Sequence, residues 1–130
     1  MTKVTQNIPS SAAHLGDHLL IELHDCDAVV LAQPPAIEAA LVAAAQAMKA
    51  TLISRHFHHF SPLGVSGVII IAESHLTIHT WPEHRYAAVD IFTCGRLDFQ
   101  AALKVLKDQL RSERTSTQLL QRGVGLRNRH

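Results

Sequence analysis

The sequence predicts an α+β fold, a two-layer sandwich of an antiparallel sheet with two helices on one face. Two observations carry this prediction. Apolar residues recur at helical spacing in two segments, and the other apolar segments are β-prone runs that follow one another through short turns. Short turns favour antiparallel pairing, and helices packed beside such a sheet give two layers. A chain of 130 residues fits one domain, residues 1–130.

The first half of the chain reads as strand, helix and strand. Residues 18–24 form a short apolar run that predicts a strand, and Asp25-Cys26-Asp27 follows as a turn. Two prolines at 34–35 suit the first turn of a helix. The residues after them place one apolar side chain on the same face at each turn: Ile37, Leu41, Ala44 and Met48. Residues 51–60 alternate with a period of two and predict the next strand.

Three more strands, a second helix and a last strand are predicted in the second half. Residues 65–72 are rich in valine and isoleucine, residues 75–81 alternate, and residues 86–94 form another β-prone run. Asp98 can cap a helix whose apolar face consists of Phe99, Leu103, Leu106 and Leu110. Residues 115–121 predict the last strand. Since two helices cover only one sheet face, we expect the other face to be covered by self-association.

Charge and composition exclude several classes of function. The net charge of +1 offers no general attraction for nucleic acid or anionic membranes. No apolar run approaches the roughly 18 residues of a membrane span, and the first residues lack the apolar core of a secretory signal. The two cysteines, Cys26 and Cys94, form no CxxC pattern and are expected to be reduced thiols. The sequence therefore predicts a cytoplasmic protein without a nucleic-acid or membrane partner.

A metal site is the first possibility that the ten histidines raise. His56 and His58 share one face of a predicted strand, with His59 and His75 not far along the chain. No cysteine or carboxylate stands beside them in a familiar ligand pattern. We therefore expect no functional metal site.

The densest group of reactive side chains lies between residues 64 and 95. It contains AESH at 72–75, IHTWPE at 78–83 and DIFTCG at 90–95. In this order and spacing, and with GDHLLIELHDCD and HHFSPLGVSG before them, these motifs resemble the prokaryotic S-adenosylmethionine decarboxylase family. The resemblance covers about residues 15 to 123 and is far more specific than any single short motif.

The resemblance implies a proenzyme that cuts itself between Glu73 and Ser74. The Ser74 hydroxyl would attack the Glu73 carbonyl, the resulting ester would eliminate, and residue 74 would become a pyruvoyl cofactor. Decarboxylation of an α-amino acid leaves negative charge on the α-carbon that no ordinary side chain can delocalise. A covalently attached ketone can do so through an imine with the substrate amine. The products would be a β chain of residues 1–73 and an α chain of residues 74–130.

The resemblance also assigns roles to three further catalytic residues. His79 would handle the proton lost in the elimination step, for which an imidazole with a near-neutral pKa is suited. Cys94 would protonate the substrate α-carbon after carbon dioxide leaves. Ser66, in GVSG, would help orient the scissile bond or the new carbonyl group. Cys26 matches no catalytic position and is expected to be a small buried residue.

Substrate binding is assigned to two aromatic residues and a carboxylate. Phe60 and Trp81 are similar to the family positions that flank the adenine ring, and Glu83 to the position that binds the ribose. A sulfonium near an adenine also favours aromatic faces. One pair departs from the family. Relatives often carry a small or aromatic pair such as Tyr-Gly where this chain has His84-Arg85. We expect this pair to lie at the pocket rim and to add positive charge there.

The activity that the resemblance implies is decarboxylation of S-adenosylmethionine to S-adenosylmethioninamine and CO2, for spermidine biosynthesis. The expected assembly is a homodimer of αβ units, packed sheet to sheet as a four-layer αββα body. Two alternatives remain. Arginine or ornithine could be the substrate of the same pyruvoyl chemistry. An unprocessed, non-catalytic binding protein is the other, although such a protein is expected to lose Ser74, His79 or Cys94, and all three are present.

Overall fold

The computed structural model describes residues 13–127 and confirms the α+β class. Six strands span β1 Gly16–His24, β2 Leu52–His59, β3 Val65–Ile71, β4 Ser74–Trp81, β5 Tyr86–Thr93 and β6 Arg114–Arg122. The helices are α1 Ala28–Leu31, α2 Pro34–Ala47 and α3 Phe99–Leu110. No helix within residues 13–127 is both long enough and apolar enough to cross a membrane.

The six strands form one sheet in the order β2-β3-β4-β5-β1-β6. Every neighbouring pair is antiparallel. The strands β2 to β5 lie side by side in chain order, and β1 pairs with both β5 and β6. The strands that carry the three motifs are therefore direct neighbours in the interior of the sheet.

The two long helices cover one face of this sheet, as predicted. The apolar stripes of α2 and α3 pack with alternate residues of the strands into one core, in which Leu41, Ile78 and Leu106 are completely buried. On the opposite face the intervening side chains stay partly accessible. Ile70 and Trp81, for example, are each 41% exposed. This second face, called the open face below, carries most of the residues that the motifs single out.

Side-chain caps explain where two of the helices begin. Asp98 accepts a hydrogen bond from the Ala101 amide at 3.1 Å, so the predicted cap of α3 is confirmed. Asp27 caps α1 by accepting from the amides of Val29 and Val30. The sequence was interpreted as a turn at this point, because a four-residue helix is too short to show a hydrophobic period. The segment that joins β4 to β5 begins with a 3₁₀ turn, Pro82–His84.

Replacement of a core residue of α2 tests the packing. Leu41→Ala is expected to lower the free energy of unfolding by about 2–5 kcal/mol, since it leaves a cavity between α2 and the sheet. Urea denaturation followed by circular dichroism measures the loss. Val29→Ala is the control, because Val29 is 70% exposed. Equal effects from the two substitutions would contradict the described core.

Candidate active site

A tight hairpin between β3 and β4 holds Glu73 and Ser74. Ile71 pairs with Ser74 in the ladder, so the turn consists of Ala72 and Glu73 alone. Two-residue hairpin turns favour glycine or asparagine, because their backbone needs positive φ angles. This turn has neither, and a φ of +155° falls on Ser74. Residues with a side chain rarely adopt that value, so the chain is strained beside the bond between Glu73 and Ser74.

Two donors from Cys94 converge on the carbonyl oxygen of Glu73. The Cys94 amide donates at 3.0 Å and its Sγ lies 3.3 Å from the same oxygen. This contact follows from the register, since Ser74 pairs with Thr93 and Cys94 directly follows Thr93 at the end of β5. Donors placed in this way stabilise the negative charge that develops on a carbonyl oxygen under attack. The arrangement can therefore activate the carbonyl of Glu73 toward a nucleophile.

The two cysteines lie in different environments, as the sequence suggested. Cys94 is exposed, whereas Cys26 is completely buried. Burial raises the pKa of the Cys26 thiol, which the hydrogen-bonding hydroxyl of Ser112 and the charge of Arg85 only partly offset. Cys26 is thus a core residue without access to the motifs.

A second group of motif residues surrounds Ser66 and His79. These two residues face each other across β3 and β4, and Ser66 Oγ lies 2.8 Å from His79 Nδ1. They line a cavity of about 340 Å³ together with the three predicted substrate-binding residues, Phe60, Trp81 and Glu83. Both aromatic side chains are almost half exposed, so part of each ring is accessible to a ligand. The sequence assigned all five to one site, and the structure brings them together.

The two groups lie at opposite ends of β4. Ser74 begins the strand and His79 lies five residues further on, about 17 Å away at the rise of an extended strand. Glu73 and Cys94 are beside Ser74, whereas Ser66 is beside His79. Within one chain, His79 is therefore too far from Ser74 to take a proton from it. The sequence identified these residues without indicating this separation.

A cavity of about 690 Å³ on the open face adjoins the Trp81 side chain and was not predicted. Its lining residues are Glu22, His24, Trp81, His84 and Tyr86. Tyr86 stacks between Trp81 and His24, with ring centroids 5.3 and 5.1 Å apart, and its hydroxyl donates to the Glu22 carboxylate. Burial, that hydrogen bond and the Glu22 charge raise the pKa of Tyr86 to about 12. Glu22 and Tyr86 were missed because β1 and β5 meet only in the sheet.

The side chains of the unusual pair His84-Arg85 lie in two different environments. His84 lines the unpredicted cavity beside Tyr86. It does not line the pocket formed by Phe60, Trp81 and Glu83, at whose rim the pair was expected. Arg85 has a left-handed φ of +51°, and its Nε donates to the carbonyl of Cys26 at 2.7 Å. The expectation that Arg85 adds positive charge to the pocket rim is therefore wrong, because the guanidinium is turned toward the backbone after β1.

A polar cluster around Asp90 occupies the open face between the two groups. Asp90 Oδ2 lies 2.6 Å from His18 Nε2 and 3.2 Å from His75 Nε2, and Thr77 donates to Oδ1. Burial alone would raise the pKa of Asp90. The hydrogen bonds from Thr77, His18 and His75 outweigh it and lower the pKa. Asp90 is thus held in its ionised form.

The same cluster has the composition of a metal site, with ligand atoms of His18, His75 and Asp90 all within 4.8 Å of one another. Arg122 Nη1 lies 3.0 Å from His18 Nδ1. Arginine only donates hydrogen bonds, so His18 Nδ1 must accept and His18 Nε2 carries the proton shared with Asp90. A metal on Nε2 would move that proton to Nδ1, against the guanidinium. The arrangement favours a hydrogen-bonded network over a metal centre.

Comparisons with known proteins agree with the motifs. A family model described as S-adenosylmethionine decarboxylase matches residues 17–123. An S-adenosylmethionine decarboxylase proenzyme from Pseudomonas paraeruginosa is 50% identical over 112 residues, which cover 85% of this chain and 70% of that protein. The proenzyme of Thermosipho africanus is 52% identical over 101 residues, covering 77% and 78%.

A solved structure is similar in fold as well. The crystal structure of the adenosylmethionine decarboxylase from Aquifex aeolicus superimposes with a TM-score of 0.79 at 36% identity. The superposition covers 92% of this chain and 99% of the other. The likeness in fold thus extends over most of this chain.

The bond between Tyr86 and Glu22 predicts an unusual tyrosine titration. The chain has one tyrosine, so its ultraviolet phenolate signal reports Tyr86 alone. We expect a midpoint near pH 12, against about 10 for a free tyrosine. Because the folded pKa is raised, the stability linked to Tyr86 is present below about pH 10 and lost as the pH rises toward 12.

Glu22→Gln should move this midpoint down toward 10, since it removes the neighbouring charge. Glu38→Gln, on α2, is the control and should leave the midpoint unchanged. Circular dichroism at each pH confirms that the titrated protein is folded. A folded wild-type protein that titrates near pH 10 would contradict the described bond.

Proposed function

The chain belongs to the S-adenosylmethionine decarboxylase family, and we propose that it is a proenzyme that cuts itself between Glu73 and Ser74, leaving a pyruvoyl group at residue 74. As an adenosylmethionine decarboxylase it converts S-adenosylmethionine to S-adenosylmethioninamine and CO2. The observation that carries the proposed cleavage is the geometry of one peptide bond. The Glu73 carbonyl receives two donors from Cys94, and the strained φ falls on Ser74.

The cleavage begins with attack of the Ser74 hydroxyl on the Glu73 carbonyl carbon. Negative charge moves to the carbonyl oxygen, where the amide and thiol of Cys94 are in position to hold it. Collapse breaks the peptide C–N bond and leaves an ester between the two residues. A base then removes the Ser74 α-proton and the Glu73 carboxylate leaves. Addition of water and loss of ammonia convert residue 74 to the pyruvoyl group.

The base for that elimination is proposed to be His79 of the partner subunit. Within one chain, Ser74 and His79 are separated by most of β4, so the same chain cannot supply both groups. A dimer packed through the open faces solves this problem if its two-fold axis runs between the two sheets, over Thr77 and perpendicular to β4. Each Ser74 then lies opposite residue 80 of the partner subunit, between the partner's His79 and Trp81. Both sites would be completed by the same symmetric contact.

The open face also has the composition of a subunit interface. Apolar and aromatic side chains on it remain partly accessible in the single chain: Leu20, Val68, Ile70, Ala88 and Phe92. Polar groups in the middle, around Asp90, are satisfied by their own neighbours. Burial of such a face against a second copy removes apolar area from water without leaving these polar groups unpaired. A homodimer with a four-layer αββα arrangement follows from this packing.

In the mature enzyme, the pyruvoyl group and four residues are proposed to contact different parts of the substrate. The pyruvoyl carbonyl supplies an electrophile for the substrate amine and accepts the electrons left behind by CO2. Phe60 and Trp81 would hold the adenine between them, and Glu83 would accept hydrogen bonds from the ribose. Cys94 is beside residue 74 and exposed, so its thiol can deliver a proton to the α-carbon. Ser66 orients His79.

The alternatives are less well supported. Arginine and ornithine contain no adenine or sulfonium for the open aromatic faces of Phe60 and Trp81. A binding protein without chemistry would have no use for the Cys94 contacts to the Glu73 carbonyl. The proposed location of the enzyme is the cytoplasm, with which two free thiols are consistent.

Intact mass measurement tests the proposed cleavage. We expect purified wild-type protein to give two chains, residues 1–73 and residues 74–130, with a pyruvoyl mass at the start of the second. Ser74→Ala should remain a single chain, because it lacks the nucleophile. Release of labelled CO2 from S-adenosylmethionine, and none from arginine or ornithine, identifies the substrate. A wild-type chain that stays intact on long incubation would refute the proposal.

Mixed dimers test whether each site uses both subunits. His79→Ala alone should cleave about 10²–10⁴-fold more slowly, since the elimination lacks its base. In a mixed dimer with Ser74→Ala, the His79→Ala chain should be cleaved at close to the wild-type rate, because its partner supplies His79. The Ser74→Ala chain should stay intact. Differently tagged subunits allow the two chains to be weighed separately, and an uncut His79→Ala chain in the mixed dimer would argue for a site within one subunit.

A further inference from the structure

Glu73 is held by its side chain as well as by its carbonyl. Its Oε1 accepts a hydrogen bond from the backbone amide of Thr51 at 3.1 Å, and its Oε2 lies 3.4 Å from the Thr51 hydroxyl. The carbonyl of Thr51 in turn accepts from the amide of Ala72, the other residue of the turn, at 2.8 Å. Thr51, directly before β2, thus contacts both residues of the hairpin turn.

Gly95 makes room for this arrangement on the opposite side. A Cβ atom built on Gly95 would lie 3.1 Å from Cγ of Glu73, which is closer than side chains normally pack. The Gly95 amide donates to the hydroxyl of Thr93 at 2.9 Å, so this close approach is fixed by the end of β5. The Glu73 side chain therefore lies between the end of β5 and the beginning of β2, with contacts on both sides.

We propose that Thr51 is a positioning residue for self-cleavage, acting by anchoring the Glu73 carboxylate. The proposal rests on the proposed cleavage at Glu73 and Ser74. The donors of Cys94 hold the carbonyl oxygen of Glu73, and Thr51 holds the other end of the same residue through its carboxylate. With the carboxylate bound to Thr51, the carbonyl stays directed at Cys94 and its carbon stays within reach of Ser74. Geometry of this kind affects rates steeply, since a 1 Å displacement can slow a reaction about 10²-fold.

The contact between Thr51 and Glu73 is expected to affect the rate of cleavage more than the stability of the fold. Thr51 is exposed and Glu73 is half-buried, and a carboxylate bond at such a surface site contributes little to folding. Loss of the anchor should therefore slow the cleavage of a protein that is still folded. A purely structural role predicts the reverse, with lowered stability and a cleavage rate that falls only as the protein unfolds.

Four variants distinguish the contribution of the two Thr51 hydrogen-bond donors from the effect of the size of its side chain. Thr51→Pro removes the amide donor and the hydroxyl, at the start of an edge strand where proline is tolerated. Thr51→Val removes the hydroxyl alone, Thr51→Ser keeps both donors, and Glu73→Ala removes the acceptor. The cleavage rate is measured by intact mass, from chains refolded together at one concentration. Thr115→Val, in the edge strand β6 at the other side of the sheet, is the matched control.

We expect Thr51→Pro and Glu73→Ala each to slow cleavage about tenfold or more. Thr51→Val should slow it a few-fold, whereas Thr51→Ser and Thr115→Val should cleave as the wild type does. The double variant Thr51→Pro/Glu73→Ala should be no slower than either single variant, because both remove the same contact. Melting temperatures are measured in a Ser74→Ala background, where every chain is uncut, and should change little.

Each outcome decides between the two proposals. A wild-type chain that does not cleave overturns the proposed function. A wild-type chain that cleaves while Glu73→Ala and Thr51→Val match its rate overturns the role of Thr51 alone. Effects of Thr51→Pro and Glu73→Ala that multiply in the double variant also overturn it, since the two residues would then act independently. If Thr51→Pro does not fold, Glu73→Ala, Thr51→Val and Thr51→Ser still decide the question.

Discussion

The register of β4 between β3 and β5 is the constraint on which the candidate site depends. It pairs Ser74 with Ile71 on one side and with Thr93 on the other. The first pairing leaves only two residues for the turn, and the second sets Cys94 beside the Glu73 carbonyl. A slip of one residue would turn every side chain of β4 to the other face and dissolve both contacts. The fully buried Leu76 and Ile78 make such a slip costly, so the core on the helical side fixes the chemistry at the strand end.

The same register separates the groups that the chemistry needs. An extended strand carries His79 and Ser74 to opposite ends of the sheet, and no movement short of unfolding β4 brings them together. The open face between them is held by Asp90, whose pKa is lowered by its hydrogen bonds. The stabilisation from Asp90 is present above the ordinary carboxyl pKa and is lost as the pH falls through the lowered value. In the proposed dimer, assembly and catalysis use the same open face, the face of the sheet that the helices leave uncovered.

The sequence predicted the helices and strands better than it predicted which strands pair with each other. Alternation and helical stripes identified six strands and two helices, and Asp98 marked the start of α3 correctly. The pairing of β1 with β5 could not be predicted from the sequence, because it joins residues some seventy positions apart. The contact between His18 and Asp90, which depends on this pairing, was missed for the same reason. The motifs supplied every residue of the two groups. The separation between the two groups could have been predicted as well. It follows from the rise of an extended strand once Ser74 is included in the strand that carries His79.

Cys94 connects the two reactions that are proposed for this chain. In the uncut protein its amide and thiol are both engaged by the Glu73 carbonyl. The proposed cleavage would turn that carbonyl into the carboxylate of a new chain end and relieve the strain at Ser74, so the end of the β chain would be free to move away. The thiol is then left next to residue 74 with its proton available. One side chain can therefore serve first as a donor to an oxyanion and later as an acid, because the cut itself removes its first partner.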